Sequence, residues 1–199
     1  MKKKAIVLIG FQNDYFSKNG ILNSVVEESI DVLHVVDNVL SVIEKTINNT
    51  EYIIISTPIN FSEDYSELYE PVGILKLIKD QGAFMKGKEG AEVIPEIKKF
   101  GDQIIEIEGK KGLNAFIGTS LNEILQENNV EEVILAGCVC SICIDSTGRS
   151  AAEKGYKVTM LSDCITGRTM FEQEYYCDNV FPLYSTIKSS EELITNIDS

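Results

Sequence analysis

Val133-Ile134-Leu135-Ala136-Gly137-Cys138-Val139-Cys140-Ser141-Ile142-Cys143 is the stretch that decides how this chain folds. Four aliphatic residues end abruptly at a glycine, and the small residues from Ser146 to Ala152 follow. That order reads as a buried strand, a tight turn and the start of a helix, with Cys143 inside the first helical turn. A thiol there lies among backbone N–H groups that lack helical partners, near the positive end of the helix dipole, and both favour the thiolate. A free cysteine is otherwise often no more than a small buried apolar side chain. Position, rather than residue type, therefore makes Cys143 the candidate nucleophile.

The same strand-then-helix order recurs outward in both directions. Candidate strands are Ala5–Ile9, Tyr52–Ser56, Gln103–Ile107, Val133–Ala136, Lys157–Leu161 and a short one near Thr186-Ile187. They are nearly continuous in Ile, Val and Leu, without polar alternation, as expected of strands covered on both faces of a parallel sheet. Between them, Glu27–Ile47 carries apolar residues at helical spacing, Ser120–Asn128 is a second helix, and Ser141–Lys154 a third, closed by Gly155 as a left-handed cap. The fold class that follows is α/β: a single-domain (1–199), doubly wound, three-layer α/β/α sandwich with a mostly parallel six-stranded sheet. Such sheets bind ligands beyond the carboxyl ends of their strands, and Cys143 lies just past one of these ends. Residues 58–100 read as an excursion from this alternation, and long excursions often form lids or pocket walls.

At 199 residues and 44% hydrophobic, the chain can bury a substantial core. A formal charge of −13 argues against nucleic acid or an anionic membrane as partner. The apolar run after Met1-Lys2-Lys3-Lys4 stops at Gly10, too short for a signal core, and no segment reaches the length of a membrane span. Three of the five cysteines crowd into residues 138–143, which suits reduced thiols in a cytoplasmic protein better than a disulfide framework. Their C-x-C-x-x-C spacing also allows a metal or redox cluster, but no second ligand group stands at zinc-site spacing elsewhere.

Lys110 follows the third candidate strand at the same edge of the sheet, where a cation would lower the thiol pKa and orient an acid. Around it, Lys110-Lys111-Gly112-Leu113-Asn114-Ala115-Phe116-Ile117-Gly118-Thr119-Ser120-Leu121 resembles the Lys-x-x-Tyr-Ser-Ala-Phe-x-Gly-Thr-x-Leu segment of the isochorismatase-like cysteine hydrolases. This superfamily includes nicotinamidases, N-carbamoyl-amide hydrolases and isochorismatases. Phe11-Gln12-Asn13-Asp14-Tyr15-Phe16 resembles its Asp-x-Gln-x-Asp-Phe start, and Gly137 to Cys143 resembles its Gly-Val-Ala-Thr-x-x-Cys nucleophile turn. The resemblance runs from residue 4 to about 192. It implies that Cys143 attacks a carbonyl carbon to form a thioester and that Lys110 holds the thiolate and the acid in place. It also implies that backbone N–H groups of Val139 and Cys143 form an oxyanion hole, beside a cis peptide between Cys138 and Val139. Water then releases the acid product. The partner implied is a small-molecule substrate, and members of the superfamily usually form homo-oligomers.

The departures are as informative. The first aspartate of Asp-x-Gln, the superfamily's general base, is replaced by Gly10. Asp14, four residues on, is the candidate to replace it. Asp145 is a further carboxylate, which helix geometry turns away from Cys143. The Asp-x-His pair that holds zinc in nicotinamidases is matched by Ser56-Thr57-Pro58-Ile59-Asn60, and the only histidine, His34, falls in the first long helix. No metal and no cofactor are expected. Leu113 and Asn114 replace the usual Tyr-Ser, changing the pocket wall and leaving the substrate open. Two functions follow: a metal-independent cysteine hydrolase with an atypical acid, acting on a small amide or related carbonyl compound, or a catalytically silent member that binds a small molecule.

Overall fold

Ala5–Ile9 lies at the centre of β1 (Lys3–Ile9), and its alternate side chains build both faces of the core. The structure, a computed structural model, describes residues 2–197. The other strands are β2 (Tyr52–Thr57), β3 (Ile105–Glu106), β4 (Val130–Cys138), β5 (Lys157–Thr166) and β6 (Thr186–Lys188). They form one six-stranded sheet in the order β3-β2-β1-β4-β5-β6, and every pairing is parallel. Helices described between the strands are α1 (Asn13–Phe16), α2 (Glu27–Leu33), α3 (Val35–Thr46), α4 (Gly73–Gln81), α5 (Pro95–Lys98), α6 (Leu121–Glu127), α7 (Asp145–Glu153), α8 (Met170–Tyr175) and α9 (Ser190–Thr195).

Ala5, Val7 and Ile9 point to the face covered by Leu121, Leu125 and Ala151 of α6 and α7. Ile6 and Leu8 point to the other, covered by Val35, Val39, Val42 and Ile43 of α3 and by Leu193 of α9. This is the three-layer, doubly wound sandwich expected, with a wholly parallel sheet. A third apolar cluster caps the carboxyl ends of β1 and β4, where Tyr15, Ile59, Phe61, Ile78 and Phe84 close over Cys138 and Val139. The strand order reverses between β1 and β4, and crevices at such a switch point are where α/β sheets take ligands. No helix among the described residues is long and apolar enough to cross a membrane.

Several elements differ from their sequence expectation. The single helix over Glu27–Ile47 is two helices, because His34 takes the left-handed conformation (φ 50°, ψ 41°) between α2 and α3. The Asn38 side chain holds that break, donating to the carbonyls of Leu33 at 2.8 Å and Asp163 at 3.0 Å. The strand expected from Gln103 shortens to Ile105–Glu106, since Gly101–Gln103 forms a tight helical turn first. β5 runs on to Thr166 rather than stopping at Leu161, because its far end re-pairs with Gly137 and Cys138 after an irregularity in register.

Candidate active site

The end of β4 is pressed against β1. A Cβ on Gly137 would lie 1.9 Å from the Ile9 carbonyl oxygen, so only glycine lets the two strands run this close at φ 123°. The Cys138–Val139 peptide that follows is cis. The chain then widens: the N–H groups of Ile142 and Ile144 both donate to the Val139 carbonyl, at 3.0 and 3.2 Å. Cys143 therefore sits in a wide π-type turn, Cys140–Ile144, that precedes the α-helix, not in the first α-helical turn expected from sequence. Single π-turns interrupt the regular ladder and recur at functional sites.

Lys110 comes to this turn from across the sheet. It follows β3, bridges to Ile59, and is 2% exposed. Its Nζ donates to the Gly112 carbonyl at 2.6 Å and to the Cys143 sulfur at 3.6 Å. Among the described residues no carboxylate hydrogen-bonds or ion-pairs with either side chain. A buried ammonium without a counter-charge is costly, and the sulfur in contact with it is the group that can carry that charge. Burial pushes the thiols of Cys138, Cys140 and Cys164 up, and Cys177 up to about 11. Cys140 is pushed further by the neighbouring Glu172 carboxylate.

Gly10 ends β1 beside this pair. A Cβ there would lie 2.8 Å from the Cys138 sulfur, so this thiol, donating to the Gly10 carbonyl at 3.4 Å, fills the room a side chain would need. Gly10, Cys138, Lys110 and Cys143 share the wall of a cavity of about 10 Å³, room for roughly one water. The rest of the wall comes from Ile9, Tyr15, Ile59, Leu113, Ile142 and the inner face of α4: Ile74, Leu75 and Ile78. Outside α4 lies a groove of about 850 Å³ that shares Ile74, Leu75, Leu113 and Ile142 with the cavity and reaches Arg149 and Arg168. The excursion over residues 58–100 thus forms the pocket wall. Its contribution was unassigned in sequence, although the spacing of Ile74, Leu75 and Ile78 between Gly73 and Gly82 is helical.

Asp14 is not brought into the Cys143–Lys110 pair. Its carboxylate accepts the N–H of Phe84 at 2.6 Å and of Ile21 at 3.4 Å, and the bare Gly90 Cα lies against it, since a Cβ there would come 2.2 Å from an oxygen. Gln12, fully buried, donates to the carbonyls of Ile59 at 2.9 Å and Ala91 at 2.7 Å and accepts the Ile59 N–H at 2.9 Å. Both side chains fasten the 58–100 segment to the end of β1. Asp145 pairs with Arg149 at 2.9 Å and accepts the Tyr184 hydroxyl at 2.9 Å, away from Cys143 as expected. His34 is exposed at its helix junction, and no three His, Cys, Asp or Glu side chains cluster as metal ligands among the described residues.

Residues 4–192 match the model of the isochorismatase domain. The isochorismatase family protein YddQ of Bacillus subtilis is 29% identical over 126 residues, 56% of this chain and 66% of that protein, so the chain matches just under two thirds of that relative's length. A cysteine hydrolase from Pseudomonas syringae superposes with a TM-score of 0.86 at 17% identity, covering 98% of this chain and 92% of the other. The N-carbamoylsarcosine amidase of Thermoplasma acidophilum gives a TM-score of 0.73 at 25% identity, covering 96% and 98%.

Proposed function

The chain belongs to the isochorismatase family, and from that premise we propose that it is a metal-independent cysteine hydrolase of small amides or related carbonyl compounds. The observation that carries this is the contact of Lys110 Nζ with the Cys143 sulfur, 3.6 Å, in the wall of a mostly apolar cavity. An ammonium held there favours the thiolate, which is the nucleophilic form. Cys143 attacks the carbonyl carbon and forms a thioester. Backbone N–H groups of Val139 and Cys143 receive the oxyanion, where fixed donors in a dry site act most strongly. Water then releases the acid. Gly10 stands where the superfamily's motif carries its catalytic aspartate, so proton transfer falls to another group.

Incubation with nicotinamide, maleamate and N-carbamoylsarcosine, followed by ammonia assay and intact-mass measurement, tests this reading. The expected result is ammonia release from at least one amide with a transient acyl adduct on Cys143. Gly10 favours one other reading, a silent member that binds a small molecule: bound ligand without any adduct or product, across these and a wider panel of amides, replaces the hydrolase by that binder.

A further inference from the structure

Tyr15 is the one hydroxyl in the wall of the Cys143 cavity. It is 4% exposed, and its hydroxyl makes no hydrogen bond to another described residue. Buried and half-buried tyrosine hydroxyls ordinarily find a partner, and two others here do. Tyr65 donates to the Ala83 carbonyl at 2.8 Å, and Tyr184 to Asp145 at 2.9 Å. The Tyr15 ring is fixed against Phe84, centroids 5.0 Å apart, and its Cδ2 edge would lie 3.7 Å from a Cβ on Gly10. A donor is thus carried in the pocket wall, beside Gly10, with no hydrogen-bond acceptor for it among the described residues.

On the hydrolase reading above, we propose that Tyr15 is the acid of this site, its hydroxyl giving a proton to the nitrogen that leaves and recovering one from the attacking water. The Cys143 thiolate adds to the amide carbonyl, a C–S bond forms, and the C=O π pair moves to oxygen. As that pair re-forms the carbonyl, the C–N bond breaks. Nitrogen keeps the bonding pair, takes the Tyr15 proton and departs as ammonia or an amine. Water adds to the thioester, one of its protons passes to the Tyr15 phenolate, and the C–S pair returns to Cys143. Amide and water become acid and amine, with both side chains restored. Lys110 faces the sulfur throughout. Burial, and then the nearby Cys138, Cys143 and Asp14, push the phenol well above 10, which keeps it protonated through the neutral range.

Tyr15→Phe removes only that oxygen. Phenyl acetate, whose leaving group departs without a proton, and acetamide, whose leaving group needs one, separate the acid from the nucleophile. Acetylation of Cys143 by phenyl acetate is expected within about threefold of wild type, and acetylation by acetamide to slow on the order of 100-fold. An unchanged acetamide rate overturns the assignment and passes the proton to Lys110. A wild-type protein acetylated by the ester but not by the amide overturns it too, since then no acid is supplied. Failure of phenyl acetate to acetylate wild-type Cys143 removes the hydrolase reading itself and the Tyr15 role with it. Should the phenylalanine variant not fold, trifluorotyrosine at position 15 keeps ring and hydroxyl while making the phenol more acidic. The alkaline limb of the acetamide profile is expected to move to lower pH, and an unmoved limb overturns the proposal.

Discussion

Two stretches meet over the Cys143 cavity, the turn 137–144 and the excursion 58–100, and they are held by different means. The turn is dictated locally. Gly137 permits the close approach to Ile9, and two N–H groups converge on one carbonyl, that of Val139. The excursion is fastened from far away in sequence, by Gln12 reaching residues 59 and 91 and by Asp14 reaching residues 21 and 84. One stretch carries the Cys143 sulfur, and the other roofs it. Replacing a side chain should therefore injure chemistry at the first and stability at the second.

Lys110→Met gives the largest effect expected and tests the first half of that division. It removes the cation at 3.6 Å from the sulfur and keeps the length of the buried stem. Acylation of Cys143 is expected to fall on the order of 10²–10³-fold, the loss typical of one fixed electrostatic group. Iodoacetamide labelling of Cys143, expected to be the fastest of the five thiols in the native chain, should slow to the pace of the other four. Thermal stability should hold or rise, because an apolar group replaces a charge that has no carboxylate partner. A chain that unfolds while its remaining folded fraction stays reactive would show that Lys110 is structural, and would erase the contrast.

Gln12→Ala tests the second half. It strands the carbonyls of Ile59 and Ala91 and the Ile59 N–H, all of which pair with this buried side chain. At 1–3 kcal/mol for each stranded group, partly relieved by entering water, the cost is about 3–5 kcal/mol. Urea unfolding should show a lower midpoint, and limited proteolysis should nick between residues 58 and 100 first. Labelling of Cys143 should keep its lead over the other thiols in whatever fraction is folded. A midpoint unchanged from the native chain would mean that the excursion is held by its apolar contacts alone.

The same contrast explains what could be read from sequence. The sheet was legible because its strands are short aliphatic runs whose burial on both faces leaves no polar alternation. The pair Cys143 and Lys110 was legible because each follows a strand end, and strand ends of a parallel sheet share one edge. The π-type turn was not, since nothing in Cys140–Ile144 distinguishes a wide turn from an α-helical one; the difference lies in which carbonyl the Ile144 N–H finds. The break at His34 depends on Asn38 reaching the Asp163 carbonyl, a contact between residues 125 positions apart. Tyr15 was hidden for a similar reason. As a residue type it reads as core, and only the closing of α4 over the sheet edge turns its surroundings into a cavity.

Asp14→Asn carries the smallest expected effect and the sharpest decision about proton transfer. As a carboxylate four residues from Gly10, Asp14 is the residue that sequence nominates. In the structure its oxygens receive the Phe84 and Ile21 N–H groups, and Gly90 closes its remaining side. The amide oxygen of asparagine can keep the 2.6 Å bond to Phe84, while its NH₂ turns toward the Ile21 N–H, which already makes only a long contact at 3.4 Å. The loss is one charge-assisted bond weakened and one long bond removed, about 1–2 kcal/mol in urea unfolding. Turnover of acetamide should stay within about threefold of the native chain, because an acid two bonds deep in backbone N–H groups does not reach the leaving nitrogen. A fall on the order of 100-fold with phenyl acetate unaffected would instead make Asp14 the acid, and Tyr15 would revert to a wall residue. Asp14→Asn and Tyr15→Phe are thus opposite readings of one experiment, and only one of them can separate the amide from the ester.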